Sequence, residues 1–281
     1  CKKNNEKFTE LMTSISEVKI PESVEVDVLE VSGENGTASA YNEGMQASDS
    51  KYKIYINENV KILDDNILYH ILDTFDSHTQ IGMIGVLGTS SIPTSGISLL
   101  AKKQIGKVCT GDGEIDESAT GQKADGEVLA VQGFFMVTQV DIPWRSDLFT
   151  GECFYDTAQC IEMRRRGYSV FVPDQKTCWV RYEFPEIDYN AESQQKFIEE
   201  YSKDIFPLVT ILIPTYNRPQ LLKVALESVL NQTYRNLDIV ISDNGKSDDT
   251  ARMMKETFHD ERIMYMTHPD TDEKANWRYP Q

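Results

Sequence analysis

LVTILIPTYNRPQLLKVALESVLNQTYRNLDIVISDNGKSDDT, residues 208–250, is the stretch that decides the fold. Its apolar opening ends in a Pro/Asn turn, as a buried strand does. Leu221, Leu222, Ala225, Val229 and Leu230 then recur at helical spacing, and LDIVISDNG (237–245) is a second apolar run closed by a turn. Strand, helix, strand implies an α/β layer arrangement with a mainly parallel sheet.

The same alternation runs upstream. Phe8, Leu11, Met12 and Ile15 give a helix one apolar face. Val24, Val26 and Val28, with Val31 nearby, read as a strand after Pro21, and residues 38–47 as a short helix. YKIYINENVKI (52–62) alternates through Tyr52, Ile54 and Ile56, meets the polar Asn57-Glu58-Asn59, then resumes with Val60 and Ile62. Ile67, Leu68, Ile71, Leu72 and Phe75 mark the next helix. IGMIGVLG (81–88) is a buried strand whose glycines admit a close neighbour. Residues 89–127, rich in Gly, Ser, Thr and Asp, form a long loop of the kind that usually carries function. VLAVQGFFMVT (128–138) is a strand, 156–166 a helix capped by Gly167, 168–173 a strand, and 191–203 a polar helix. One near-complete α/β unit therefore precedes the opening half of another, with the boundary at 206/207.

The 281 residues suffice for two cores. A formal charge of −17 argues against nonspecific nucleic-acid binding, because nothing offsets phosphate repulsion. It also disfavours electrostatic docking to anionic lipid. Five cysteines without a CxxC pair suit a reducing compartment, hence a cytoplasmic or membrane-peripheral location. No apolar run in these residues approaches bilayer length.

With Pro214-Thr215-Tyr216-Asn217-Arg218, Ser228 to Tyr234, Ser242-Asp243-Asn244-Gly245 and Ser247 to Thr250 in this order and spacing, residues 208–250 resemble the nucleotide-binding half of a family-2-type glycosyltransferase of GT-A fold. The first part resembles a related bacterial group of glycosyltransferase-like GT-A domains. That likeness rests on SAYNEGMQASDSKYKIYINENV, IGMIGVLGTSSIP, the stretch from GFFMVTQVDIPWRSDLF to FVP, and the tail to FIEEY. The resemblance implies tandem GT-A units, 1–206 and 207–281. It places a missing first strand before Cys1 and a metal-binding Asp-x-Asp after Gln281, so the residues read as part of a longer chain.

The implied roles are these. Pro214, Thr215, Tyr216 and Asn217 lie along base and ribose, and Asp243 with Asn244 accepts from the base; the alternative for both Asx residues is a turn or cap. Asp156 is the base that takes the acceptor's hydroxyl proton; the alternative is a helix N-cap aspartate. Glu58 and Asn59 stand where relatives present a metal-binding acid. Cys153, Gln132 and Cys178–Arg181 replace a His, an Asp and a His of the family pattern, so the first domain's metal site reads as degenerate. Glu58 substitutes for that acid only if the strand end is irregular, since neighbouring strand residues face opposite ways. Arg181 is a metal-free diphosphate clamp or a surface ion pair, and Trp144 stacks on an acceptor sugar or closes the core. Arg164, Arg165 and Arg166 form a solvated helix end. Mg or Mn is expected in the second domain, with the first read as able to work without a metal, and the expected partners are a nucleotide sugar and a glycan, lipid-linked or protein acceptor. A non-catalytic binding or scaffolding module is the alternative for the first domain.

Overall fold

The computed structural model describes residues 5–111, 113–115, 125–184, 190–206, 208–232, 234 and 236–267. The expected Cys1 strand end, residues 112 and 116–124, and the segment after 267 thus lie outside the described residues; the rest of the expected 89–127 loop is corrected, since it carries several short strands. The chain divides into two compact units, Cys1–Tyr201 and Ser202–Gln281.

The first unit runs α1 (Asn5–Ser16), α2 (Thr37–Gln46), β1 (Lys53–Ile56), β2 (Val60–Ile62), α3 (Ile67–Ser77), β3 (Ile81–Gly85) and β4 (Leu87–Thr89). Short strands β5 (Ile105–Gly106), β6 (Val108–Thr110), β7 (Gly113–Ile115), β8 (Gly126–Val128) and β9 (Ala130–Val131) follow. Then come β10 (Phe135–Thr138), α4 (Tyr155–Arg165), β11 (Ser169–Val172), β12 (Val180–Tyr182) and α5 (Ala191–Ile205). The main sheet has the order β1-β10-β3-β11-β8, and a second sheet the order β2-β12-β6-β7.

Among the described pairs of this unit only β3–β11 and β6–β12 are parallel. The mainly parallel sheet expected from the α/β alternation is corrected here: β10 lies antiparallel between β1 and β3. β3 and β4 are buried throughout. The glycines act as foreseen, since a Cβ on Gly85 would meet the Val131 side chain, with Val131 Cγ1 at 2.7 Å. Ile67, Ile71 and Phe75 of α3 join Ile84, Val86, Phe135 and Val137 in one core.

Three further expectations change. Residues 24–31 form no strand; Val26 and Val28 are exposed, and β-branched residues without a ladder partner do not make one. Residues 128–138 break into pieces at Leu129 and at Gln132-Gly133-Phe134. YKIYINENVKI also splits: β1 joins the main sheet and β2 the second one. Within β1 it is Tyr55, not Ile54, that is buried.

In the second unit β13 (Val209–Thr215), α6 (Pro219–Leu230), β14 (Leu237–Asp243), α7 (Asp249–Thr257) and β15 (Ile263–Thr267) form a sheet in the order β13-β14-β15, parallel throughout. β14 is buried at every second residue, which matches its sequence alternation. The buried face of α6 is Leu222 and Leu226, rotated from the expected stripe, and Leu221 is exposed.

Candidate active site

In the first unit the site is built where β1 ends. Asn57 N–H donates to Phe134 O (2.9 Å) and Asn57 O accepts from Val60 N–H (3.0 Å), closing a four-residue turn. The Asn57 side chain also accepts from Asn59 N–H at 2.9 Å, an Asx turn. Asn57 is thereby the structural residue of the trio. The turn abolishes strict alternation, and Glu58 and Asn59 both line one cavity of about 630 Å³. Gln132, Cys153 and Asp156 line it too. Asn59, Gln132 and Cys153 therefore surround the same space as the candidate base.

Asp156 sits in the first turn of α4, two residues beyond the N-cap position, which Phe154 occupies with φ 66°. Its carboxylate accepts from Gly133 N–H (Oδ2, 3.0 Å) and Thr157 N–H (Oδ1, 2.7 Å). Burial pushes its pKa up, and these backbone bonds partly oppose that shift. A carboxylate so placed is a stronger base than a free aspartate while its orientation stays fixed. Gly133 is part of the arrangement: Tyr155 Oη donates to Gly133 O at 3.1 Å, and a Cβ here would stand 2.9 Å from Asp156 Cβ. Gly133 and Thr157 act through the main chain, so no side-chain pattern marks them in the sequence.

Trp144 is corrected. It is 2% exposed and packs edge-on to Tyr41 (5.0 Å) and Tyr55 (4.9 Å), so it has no face to offer a sugar. Arg181 is not in the Asp156 cavity. It lines a separate cleft of about 210 Å³ that also contains Asn59. Arg181 makes no ion pair among the described residues, although the Glu10 carboxyl is held below its usual range by its Lys61 hydrogen bond and, in lesser part, by the Arg181 charge. Arg165 and Arg166 are exposed, as expected of a helix end, yet both pair with Glu162 (3.0 and 2.7 Å). Tyr201 donates to the same carboxylate at 3.2 Å.

The described residues of the first unit offer a divalent cation a poor donor set: Asn59 supplies an amide where a hard cation prefers a carboxylate, and no three His, Cys, Asp or Glu side chains converge.

In the second unit the motif residues meet at the carboxyl ends of adjacent parallel strands. Asn244 N–H donates to Thr215 O at 3.0 Å. Asn217, at φ 48°, accepts from Lys246 N–H at 3.0 Å through its side-chain oxygen. Asp243, 3% exposed, accepts from Gly245 N–H (2.8 Å) and Tyr265 Oη (2.7 Å). Asp243 and Asn217 therefore shape the turn, while Tyr216 stays exposed above it. Pro214 lies in β13 two residues before. The Tyr265 bond joins residues 22 apart, which no local motif foretells. The described residues here also lack a cluster of acids for Mg or Mn.

Two α/β units with polar clusters at their strand ends define a protein of the GT-A class. The chain belongs to the glycosyltransferase-like family, whose profile matches residues 1–201, and the glycosyl transferase family 2 profile matches residues 210–278. Over 71 residues it is 34% identical to the GalNAc(5)-diNAcBac-PP-undecaprenol beta-1,3-glucosyltransferase of Campylobacter jejuni, covering 25% of this chain and 23% of that protein. It is 38% identical over 72 residues to the chondroitin synthase of Escherichia coli (26% and 10% covered). It is also 38% identical over 60 residues to the UDP-Glc:alpha-D-GlcNAc-diphosphoundecaprenol beta-1,3-glucosyltransferase WfgD of Escherichia coli (21% and 23%). The chain thus spans less than a quarter of the length of each of these relatives.

Proposed function

We propose that the chain is part of a bacterial tandem glycosyltransferase that moves a sugar from a nucleotide-sugar donor to a glycan, lipid-linked or protein acceptor. The domains are 1–206 and 207–281. In the first, Asp156 is the base. An acceptor hydroxyl oxygen bonds to the anomeric carbon as the bond from that carbon to the diphosphate oxygen breaks. Asp156 takes the hydroxyl proton, and the nucleoside diphosphate leaves with the bonding electrons. In the second, Pro214, Thr215, Tyr216 and Asn217 follow the base and ribose, and Asp243 and Asn244 accept from the base. Asp243 retains acceptor capacity for this, since a carboxylate offers about four lone-pair sites. Mg or Mn is the cation that family 2 membership implies for the second domain. Two of the relatives named above act on undecaprenyl-linked saccharides, which supports a lipid-linked acceptor. No helix among the described residues is long and apolar enough to cross a membrane, and Cys109 and Cys160 are free thiols. A cytoplasmic, membrane-peripheral setting suits both facts.

The observation that carries the reading is the gathering of Asp156, Glu58, Asn59, Gln132 and Cys153 around one cavity. The test is turnover of a panel of nucleotide sugars, with and without manganese, by the wild type and Asp156→Asn. Turnover abolished in the variant is expected. No turnover and no nucleotide binding in the wild type would overturn the enzymatic reading.

A further inference from the structure

We propose that the cleft between α1, β2 and β12 is an anion site that holds a phosphate or diphosphate group through Lys7, Lys61 and Arg181, without a divalent cation. The inference rests on the transferase reading for its purpose, but its geometry is independent of it.

β2 and β12 pair antiparallel with Lys61 directly opposite Arg181. Residues opposed across a ladder present their side chains on the same face, so two cations stand side by side, an arrangement that is unfavourable by itself. α1 lies along this face, fixed by the bond from Ile62 N–H to Ser14 Oγ (3.1 Å), and brings a third cation, Lys7. The carboxylates that line it among the described residues are Glu10, whose charge also faces Arg181 and Lys7, and Glu183. Glu10 is taken by Lys61 at 2.8 Å, and Glu183 accepts Gly111 N–H at 2.6 Å. Neither Lys7 nor Arg181 has an ion pair among the described residues. Arg181 Nε is shielded from solvent with no hydrogen-bond acceptor. An unsatisfied buried donor of this kind is costly, and a ligand oxygen would offset that cost.

The excess of cations is local, in a chain whose formal charge is −17. A guanidinium fork flanked by ammonium groups matches phosphate oxygens, and such bonds are charge-assisted on both sides. Size narrows the ligand. The cleft holds about 210 Å³, below the roughly 300 Å³ at which pockets for whole small molecules begin. It therefore takes an anionic group and leaves the remainder of the molecule outside. Asn59 lines both this cleft and the Asp156 cavity, so an anion seated here adjoins the space assigned to sugar transfer.

The test is calorimetric titration of the full chain with inorganic pyrophosphate in EDTA. Saturable binding is expected, weakened about tenfold or more by Arg181→Gln, the scale of a lost charge-assisted bond. Lys7→Gln, on the outer helix and safe for folding, is expected to weaken it about threefold by the same logic. Competition then separates sources: displacement by a nucleoside diphosphate assigns the donor, displacement by farnesyl diphosphate a lipid-linked acceptor. No binding, or binding equal to wild type in both variants, overturns the site even where sugar transfer is intact. Pyrophosphate binding that is lost with Arg181 in a chain that transfers no sugar upholds the site and sinks the transferase reading instead.

Discussion

Replacing Gly133 by alanine displaces the candidate base without touching its chemistry. A Cβ at this position would lie 2.7 Å from Tyr155 Cζ and 2.9 Å from Asp156 Cβ, where ordinary contact begins near 3.4 Å. Backbone strain does not enter, because Gly133 is not among the residues with positive φ. Something must therefore move by about 0.5–1 Å, and a well-packed core charges about 1–3 kcal/mol for such crowding. The movement also strains the Tyr155 Oη bond to Gly133 O, worth about 1 kcal/mol, and the Gly133 N–H bond to the Asp156 carboxylate, worth about 1.5–3 kcal/mol if fully lost. Opposing these, alanine narrows the unfolded ensemble by about 0.4–1 kcal/mol. The net expectation is about 1.5–3 kcal/mol of destabilisation.

Urea unfolding followed by the fluorescence of Trp144 and Trp179, both buried in the first unit, measures it. The double variant with Tyr155→Phe sharpens the test. It removes the hydroxyl that the new Cβ meets first, so the two costs should add to less than their sum. Turnover should fall about a hundredfold, as expected for a roughly 1 Å misplacement of a reacting group. A Gly133→Ala chain with wild-type stability and rate, or strict additivity with Tyr155→Phe, would refute the reasoning.

Three other outcomes are expected. Burial raises the Asp156 pKa, so the acid limb of the rate profile should fall above the roughly 3.9 of a free aspartate; an inflection at or below that value contradicts its environment. For stability, the protonated group favours folding at low pH and this contribution is lost as pH rises through the folded pKa. Burial alone would raise Glu162, but the Arg166 hydrogen bond and the Arg165 charge hold it below the usual range. Its contribution is present above about pH 4.3 and lost as pH falls through the folded pKa, so Glu162→Gln should cost about 1–3 kcal/mol at neutral pH and flatten the acid side of the stability curve. An unchanged urea midpoint at both pH 7 and pH 4 would show that the arginines find equal partners elsewhere. Asp243→Asn should weaken nucleoside diphosphate binding by about tenfold through loss of a charged acceptor, and calorimetry that finds equal affinity denies Asp243 that role.

Legibility in the sequence followed the physics of each element. β14 could be read residue by residue because one of its faces is buried and the other is not. α4 could be placed by its ends but not by its face: Tyr155 and Thr157 through Met163 are all buried, Gln159 and Glu162 among them, so no stripe exists. The sheet direction was misread because antiparallel β10 separates β1 from β3, and pairing order leaves no trace in periodicity. The site was half legible. Asp156 was named through the family resemblance, whereas Gly133 and Thr157 hold it with backbone donors that any residue possesses. Lys61 and Arg181 are joined by strand register across more than a hundred positions, and Lys7 is brought in by a helix, beyond the reach of a local motif.

The turn at 57–60 connects these observations. An aspartate at 59 would attract a cation and repel a phosphate; an asparagine does neither, while its backbone still closes the Asx turn through Asn57. An asparagine rather than an aspartate at 59 is thus compatible with the fold of the strand end and with a neighbouring anion. The neighbouring cleft shows the complementary pattern, with three cations against two carboxylates that are already engaged. An asparagine between the two spaces therefore places no negative charge beside that positive cluster. On the proposed reading, the first unit holds diphosphate directly through these cations.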